Sequence, residues 1–295
     1  MSDVEDLDLA LLNRRFPLPS LDGSGSKEDR GRLLAIAGSR ELAGAAMLSG
    51  LGALRAGAGK LQIATAASIA ASLAVAVPEA RVIGLEETGE GCIAPGEFDR
   101  LIGWAKGAQA VLLGCGLQEG APLAQLLERL LGEAFEVPLL LDAAVLPSLP
   151  AQAAAVARWP GGVALLPHAG EMAKVLGKER QAVEEDPAAA AAEAARRFNA
   201  AALVKGGTSF IAAPGGELFR YKGGGIGLAT SGSGDTLAGF VGGIAARGAD
   251  ALTAVLWGVW LHGEAGRALS ERVGRVGFLA RELLDEAPRL LDRAS

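Results

Sequence analysis

The chain has 295 residues, half of them hydrophobic and 21% charged, which is enough apolar material for a substantial core and excludes a disordered chain. Its 28 basic and 34 acidic side chains leave a net charge of −6. The longer like-charge clusters (Asp3, Glu5, Asp6, Asp8 and Glu184, Glu185, Asp186) are acidic, which argues against nucleic-acid binding. Two cysteines, Cys92 and Cys115, rule out a disulfide framework and point to a reducing compartment, and only two histidines disfavour a Cys/His zinc site. Glycine, at 42 residues, is about twice its usual share. With no collagen-like period, the glycines are expected at tight turns and where backbone approaches a ligand.

Residues 1–31 lack sustained periodicity and contain Pro17, Pro19 and Asp22-Gly-Ser-Gly-Ser26. A wrapping or partly ordered arm is expected there, ahead of one domain over 32–295. The acidic start lacks the basic-then-apolar order of a signal peptide, so the expected location is the cytoplasm. Residues 61–77 carry no charge but include Gln62, Thr65, Ser68 and Ser72. They fall short of a membrane span and read as a buried strand running into an alanine-rich helix.

From Arg32 onward, short apolar runs alternate with helical patterns. Strands are expected at 33–37, 61–65, 81–85, 110–113, 138–142, 163–166 and 201–205, and helices at 45–56, 97–105, 122–131 and 187–198. That alternation predicts a mostly parallel sheet with helices on both faces. Two further strands, 209–213 and 217–221, joined by Pro214-Gly-Gly216, read as a hairpin before a glycine-rich loop and several helices. In open parallel sheets ligands bind beyond the carboxyl ends of the strands, so residues just past the strands are the candidates for chemistry.

The strongest local signal is Ala229-Thr-Ser-Gly-Ser-Gly-Asp-Thr-Leu-Ala-Gly239, a glycine-rich loop entering an apolar helix over 237–246. The amides of Gly232, Ser233 and Gly234 are candidates to meet an anion, which the helix dipole favours. Asp235 stands where a carboxylate can take a proton from an attacking hydroxyl. The plainer alternative is that Ser233 or Asp235 only caps the helix. Lys205 with the Gly206-Gly207 turn is placed to hold a phosphate or ribose of a nucleotide; the alternative is an ordinary hairpin with a surface lysine. His168, in Leu165-Leu-Pro-His-Ala-Gly-Glu-Met172, follows a strand end and is placed to touch substrate, although capping explains Glu171 equally well. Asp142 ends another strand and can approach magnesium through water, or simply cap the next segment. A dinucleotide fingerprint is weak, because Gly114-Cys-Gly-Leu-Gln-Glu-Gly120 has the wrong spacing. There is also no P-loop at Gly59-Lys60 and no Gly-x-Ser-x-Gly elbow for a hydrolase triad.

Taken in order, these segments resemble the NAD(P)H-hydrate dehydratases of the ribokinase-like superfamily over about residues 32–289. The resemblance is carried by Ala37-Gly-Ser with Gly44-Ala45, Leu54-Arg-Ala-Gly-Ala-Gly59, Val77-Pro-Glu-Ala80, Leu113-Gly-Cys-Gly-Leu117, Leu141-Asp-Ala143, Leu166-Pro-His-Ala-Gly-Glu-Met172, Val204-Lys-Gly206, Gly227-Leu-Ala-Thr-Ser-Gly-Ser-Gly-Asp235 and Leu261-His-Gly-Glu-Ala-Gly266. It implies a three-layer α/β ribokinase-like fold and a repair reaction. A nucleotide, ADP or ATP with Mg2+ bridging its phosphates, phosphorylates the C6 hydroxyl of the S epimer of hydrated NADH or NADPH, and loss of phosphate regenerates the cofactor. By the same resemblance Asp235 is the base, and the Gly232, Ser233 and Gly234 amides stabilise the transferred phosphoryl group. Lys205, Gly206, Gly207, Thr208, Ser209 and Gly234 contact the nucleotide, and Ala45, Gly116, His168 and Asp235 face the hydrated dinucleotide. A homotetramer without a membrane partner is expected.

Three departures stand out. Asp142-Ala-Ala-Val-Leu146 lacks the second carboxylate of the family's usual Asp-Ala-Asp-Ala-Leu, Gly114-Cys-Gly-Leu-Gln118 replaces Gly-Pro-Gly-Leu-Gly, and the usual Asn-Pro is missing within Gly223-Gly-Gly-Ile-Gly227. The epimerase domain that some relatives carry ahead of this one is not expected, since 31 residues are too few for it. Two other readings compete: a kinase of a small hydroxylated vitamin precursor or sugar that uses Asp235 in the same way, and a nucleotide-binding homologue without catalysis. A stable phosphorylated product marks the first, and nucleotide binding without turnover marks the second.

Overall fold

The computed structural model describes residues 4–20, 27, 29–133 and 135–294. The Asp22-to-Ser26 cluster lies outside them. The chain runs through β1 (Val4–Asp6), α1 (Leu9–Arg15), β2 (Arg32–Ile36), α2 (Ala43–Arg55), β3 (Lys60–Ala66), α3 (Ala67–Ala76), β4 (Ala80–Leu85), α4 (Phe98–Ala105), β5 (Ala110–Leu113), α5 (Ala121–Leu131) and β6 (Leu139–Leu141). It continues with α6 (Leu149–Val156), β7 (Val163–Leu165), α7 (Ala169–Leu176), α8 (Arg180–Glu185), α9 (Pro187–Phe198), β8 (Ala201–Val204), β9 (Thr208–Ala212) and β10 (Leu218–Lys222). Helices α10 (Ser233–Ala246), α11 (Ala251–Arg272) and α12 (Leu283–Ala294) complete it.

All ten strands join one sheet in the order β1-β10-β9-β8-β7-β6-β5-β2-β3-β4. Among the strand pairings of the described residues, only the two hairpin pairings that involve β9 are antiparallel. Side chains alternate across the sheet as a period of two requires: Leu112 joins the core with α2, α10 and α11, while Val111 and Leu113 join the core with α4, α5 and α9. Both faces are therefore covered, which is why strands such as β5 and β8 read as unbroken apolar runs.

Helix boundaries follow local chemistry. Asp186 accepts the Ala189 amide at 2.9 Å ahead of Pro187 at the first position of α9, and Asn199 ends that helix in the left-handed region. Helices α2 and α10 lie unusually close, because a Cβ on Gly239 would sit 2.3 Å from the Ser49 carbonyl oxygen and one on Gly243 2.3 Å from that of Ala53. Among the described residues no helix is long and apolar enough to cross a membrane.

Of residues 1–31, those from Val4 to Arg15 form regular structure. β1 pairs parallel with β10, and the Phe16 ring meets Phe219 edge-on at 5.6 Å. The Phe16 carbonyl accepts the Trp257 indole N–H at 2.7 Å. A three-residue strand is too short to display a period, so only tertiary pairing reveals it.

Candidate active site

The strand order reverses between β2 and β5, the point at which open α/β sheets form a crevice beyond the carboxyl ends of the strands. There the loops are stitched together by the Gly38 amide donating to the Cys115 carbonyl at 2.8 Å and the Gly114 amide to the Ile36 carbonyl at 3.2 Å. Neighbouring strand ends deliver Asp142 after β6, His168 after β7 and Lys205 after β8. Across the crevice stands the N-terminus of α10.

That helix begins at Ser233, four residues before its apolar pattern starts, so Asp235 lies in its first turn. Gly232 precedes it with φ +85, and a Cβ there would also meet Leu48 Cδ1 at 2.5 Å. The Ser233 amide donates to the Thr230 carbonyl at 3.2 Å. This corrects the expected trio of anion-facing amides: Ser233 N–H closes the turn. The first-turn amides of Gly234 and Asp235 have no acceptor within the helix. The Ser233 hydroxyl instead lies 2.8 Å from His262 Nε2 on α11.

Lys205 reaches across the crevice. Its ammonium is 2.9 Å from Asp142 Oδ1 and 4.0 Å from Glu171 Oε2, and a Cβ on Gly234 would lie 3.5 Å from Nζ. Lys205 and the helix N-terminus thus face each other. Burial pushes the Asp142 carboxyl up to about 6, against the opposing pull of Lys205. Burial also raises Asp235, with Lys205 and a hydrogen bond from Cys115 lowering it. A half-buried carboxylate of raised basicity beside a cation is the profile of a general base. The thiol of Cys115, fully buried, is held protonated by burial and by the charges of Asp142 and Asp235.

His168 caps α7. Its Nδ1 accepts the amides of Gly170 at 3.0 Å and Glu171 at 3.3 Å, while Glu171 Oε2 accepts the His168 amide at 2.8 Å. The capping box therefore occupies one ring nitrogen and leaves Nε2, 3.6 Å from Glu171 Oε2. Partial burial lowers the imidazole pKa, with the Glu171 carboxylate opposing. His168 shares a cavity of about 490 Å³ with Lys205, Gly206, Gly207 and Thr208, next to Arg180 and Phe210. Ser209 sits at the rim of the same hairpin, its hydroxyl 3.5 Å from the Gly206 carbonyl. On the other side of the site Ala45 is buried, and a Cβ on Gly116 would come within 2.5 Å of its Cβ. Those two positions hold α2 against the β5 loop.

Among the described residues no group of three or more Asp, Glu, His or Cys side chains is arranged to hold a metal ion. Asp142 and Glu171, two of the carboxylates beside Lys205, fit the sparse protein share of a magnesium ion that keeps waters and binds chiefly through phosphates. Residue spacing hid the Asp142–Lys205 pair, whose members are 63 positions apart. Likewise the Leu261-His-Gly piece gave no sign that His262 meets Ser233.

A family model described as NAD(P)H-hydrate dehydratase matches residues 33–289. The chain is 49% identical over 284 residues to an ADP-dependent (S)-NAD(P)H-hydrate dehydratase of Xanthomonas campestris pv. campestris, covering 95% of this chain and 94% of that one. It spans about half the length of the bifunctional NAD(P)H-hydrate repair enzymes it also matches. Its fold superposes on an ADP/ATP-dependent NAD(P)H-hydrate dehydratase of Bacillus subtilis co-crystallised with ATP and Mg2+, with a TM-score of 0.82, 28% identity and 99% of each chain covered. A ribokinase-like superfamily protein of Enterococcus faecalis shares the fold at TM-score 0.83 and 23% identity, over 99% of this chain and 96% of that one.

Proposed function

The chain belongs to the NAD(P)H-hydrate dehydratase family, and we propose that it repairs the S epimer of hydrated NADH or NADPH by nucleotide-dependent dehydration. The observation that carries the reading is the placement of Asp235 in the first turn of α10, opposite Lys205 and at the strand-order switch. The names of the relatives favour repair over a kinase with a stable phosphorylated product.

In this reading Asp235 accepts the proton of the C6 hydroxyl as its oxygen bonds to the terminal phosphorus of ADP or ATP. The bond from that phosphorus to the departing nucleotide breaks at the same centre. The Gly234 and Asp235 amides and the α10 dipole take up charge on the phosphoryl oxygens, and Gly232 sets the turn that aims them. Lys205 neutralises the phosphate chain, while Gly206, Gly207, Thr208 and Ser209 form the hairpin that receives the rest of the nucleotide. The C6–O bond then breaks with loss of phosphate as the neighbouring carbon gives up a proton to water, which restores the reduced nicotinamide. Bound magnesium would supply further neutralisation of the phosphates, with Asp142 and Glu171 as its protein partners through water. His168 Nε2, Ala45 and Gly116 face the hydrated dinucleotide. Exposed Ile226, Val273, Val276 and Leu279 support assembly into the expected tetramer, which sedimentation tests.

The test mixes purified protein with hydrated NADPH, Mg2+ and either ADP or ATP while reduced-nicotinamide absorbance is followed. Recovery that requires a nucleotide supports the reading and identifies the donor. Nucleotide binding with no recovery from either donor refutes it.

A further inference from the structure

We propose that His262 is a positioning residue: it donates its Nε2 proton to Ser233 Oγ, so that the Ser233 hydroxyl proton is aimed at the transferred phosphoryl group. This deepens the repair reading and rests on it for the identity of the anion.

Ser233 opens α10 at the point where an anion is expected, yet its amide is committed to Thr230. Ser233 is 5% exposed, and a hydroxyl on a residue so buried needs a hydrogen-bond partner. His262 Nε2 is that partner at 2.8 Å. Two arrangements satisfy the pair. If the hydroxyl donates to the ring, its lone pairs confront the phosphoryl oxygens. If the ring donates to the hydroxyl, the hydroxyl proton is free for the anion, and the two bonds polarise each other. An anion at the helix end selects the second.

The surroundings support a neutral ring held in place. Burial, with the Lys205 ammonium adding, lowers the His262 pKa to about 4, and the Ser233 backbone opposes this only in part. One proton therefore resides on the imidazole at neutral pH, so the ring relays a donor without adding charge. Helix α11 is fixed on both sides of the histidine. A Cβ on Gly263 would lie 2.1 Å from Tyr221 Cε1, and the Tyr221 hydroxyl donates to Glu264 Oε1 at 2.9 Å. The Phe240 ring lies 6.5 Å away, edge-on to the imidazole.

The test compares Ser233→Ala, His262→Phe, the double variant and His262→Gln, whose amide can still donate. The expected result is a tenfold to hundredfold slower single-turnover phosphoryl transfer, on the order of the loss of one anion-hole donor, in Ser233→Ala and in His262→Phe. ADP affinity stays unchanged, the double variant is no slower than either single one, and His262→Gln recovers part of the rate. Losses that multiply in the double variant, or full activity in His262→Phe, overturn the proposal. Nitrogen-15 NMR of His262 in the wild-type protein with ADP bound provides a readout independent of turnover. A proton on Nε2 that moves in Ser233→Ala supports the relay, and an unprotonated Nε2 refutes it even if repair is active. Absence of wild-type repair would instead count against the function reading, leaving the NMR result to decide the hydrogen bond.

Discussion

Lys205→Met tests the charge balance at the centre of the site. The substitution removes the ammonium and keeps a stem of similar length. Nζ lies 2.9 Å from Asp142 Oδ1, Asp142 is 2% exposed, and Glu171 and Asp235 also face the cation. Even with Lys205 in place, burial holds the Asp142 carboxyl at about 6 against an ordinary 3.8. Removing the cation deletes its main lowering influence, so the value climbs further. The sign follows from proton counting. A carboxyl whose folded pKa is raised keeps its proton in the native state after the unfolded chain has lost it. Its stabilising share is complete below the unfolded value and is lost as pH rises through the folded one. For the wild type that window runs from about 4 to about 6, and in the variant it extends upward. Near pH 8 the variant holds an unpaired buried carboxylate, and its deficit approaches the ~3–5 kcal/mol of a broken buried pair. Near pH 5, with Asp142 protonated in both proteins, the deficit shrinks toward the ~0.5 kcal/mol of an unremarkable substitution. Urea unfolding of both proteins at the two pH values measures the difference. An equal deficit at both would show that the lysine stem, not the ion pair, carries the effect.

Other substitutions separate fold from site. Gly239→Ala sets a methyl 2.3 Å from the Ser49 carbonyl oxygen, so α2 and α10 must separate; a loss of ~1–3 kcal/mol is expected in urea, and an unchanged midpoint would contradict the close packing. Gly234→Ala places its methyl 3.5 Å from Lys205 Nζ, an ordinary contact. The thermal midpoint is therefore expected to hold while calorimetry shows weakened ADP binding, and full affinity would remove Gly234 from the nucleotide site. Cys92 and Cys115 are 4% and 0% exposed, so a thiol reagent is expected to modify neither in the native protein and both in urea; rapid native labelling of Cys115 would contradict its burial beneath the site.

Much of the fold was legible because the signals are local. Helix α9 is bounded by Asp186, Pro187 and Asn199, each a recognisable end signal, and spans the 187–198 expected from sequence. The strand over 110–113 is likewise where its apolar run placed it, since both faces of that part of the sheet are covered. The start of α10 was misplaced to Leu237 because Ser233 to Thr236 have no apolar period; their helical state comes from the loop and from packing on α2. The motifs located Asp235, Lys205 and His168 near one crevice but not what each touches. The Asp142–Lys205 and Ser233–His262 pairs are closed by topology, and His168 proved to spend one ring nitrogen on its own helix. The departure to cysteine at position 115 acquires a meaning only in three dimensions, where the thiol lies 3.9 Å from Asp142 Oδ2.

The most direct test of the account is repair by the Asp235→Asn protein beside the wild type, with hydrated NADPH, Mg2+ and the active nucleotide, after calorimetry has shown that both bind that nucleotide alike. The account predicts prompt recovery of reduced nicotinamide with the wild type and a rate about 10²- to 10⁴-fold lower for the variant. Equal rates would contradict it, because the proton of the C6 hydroxyl would then leave by another route.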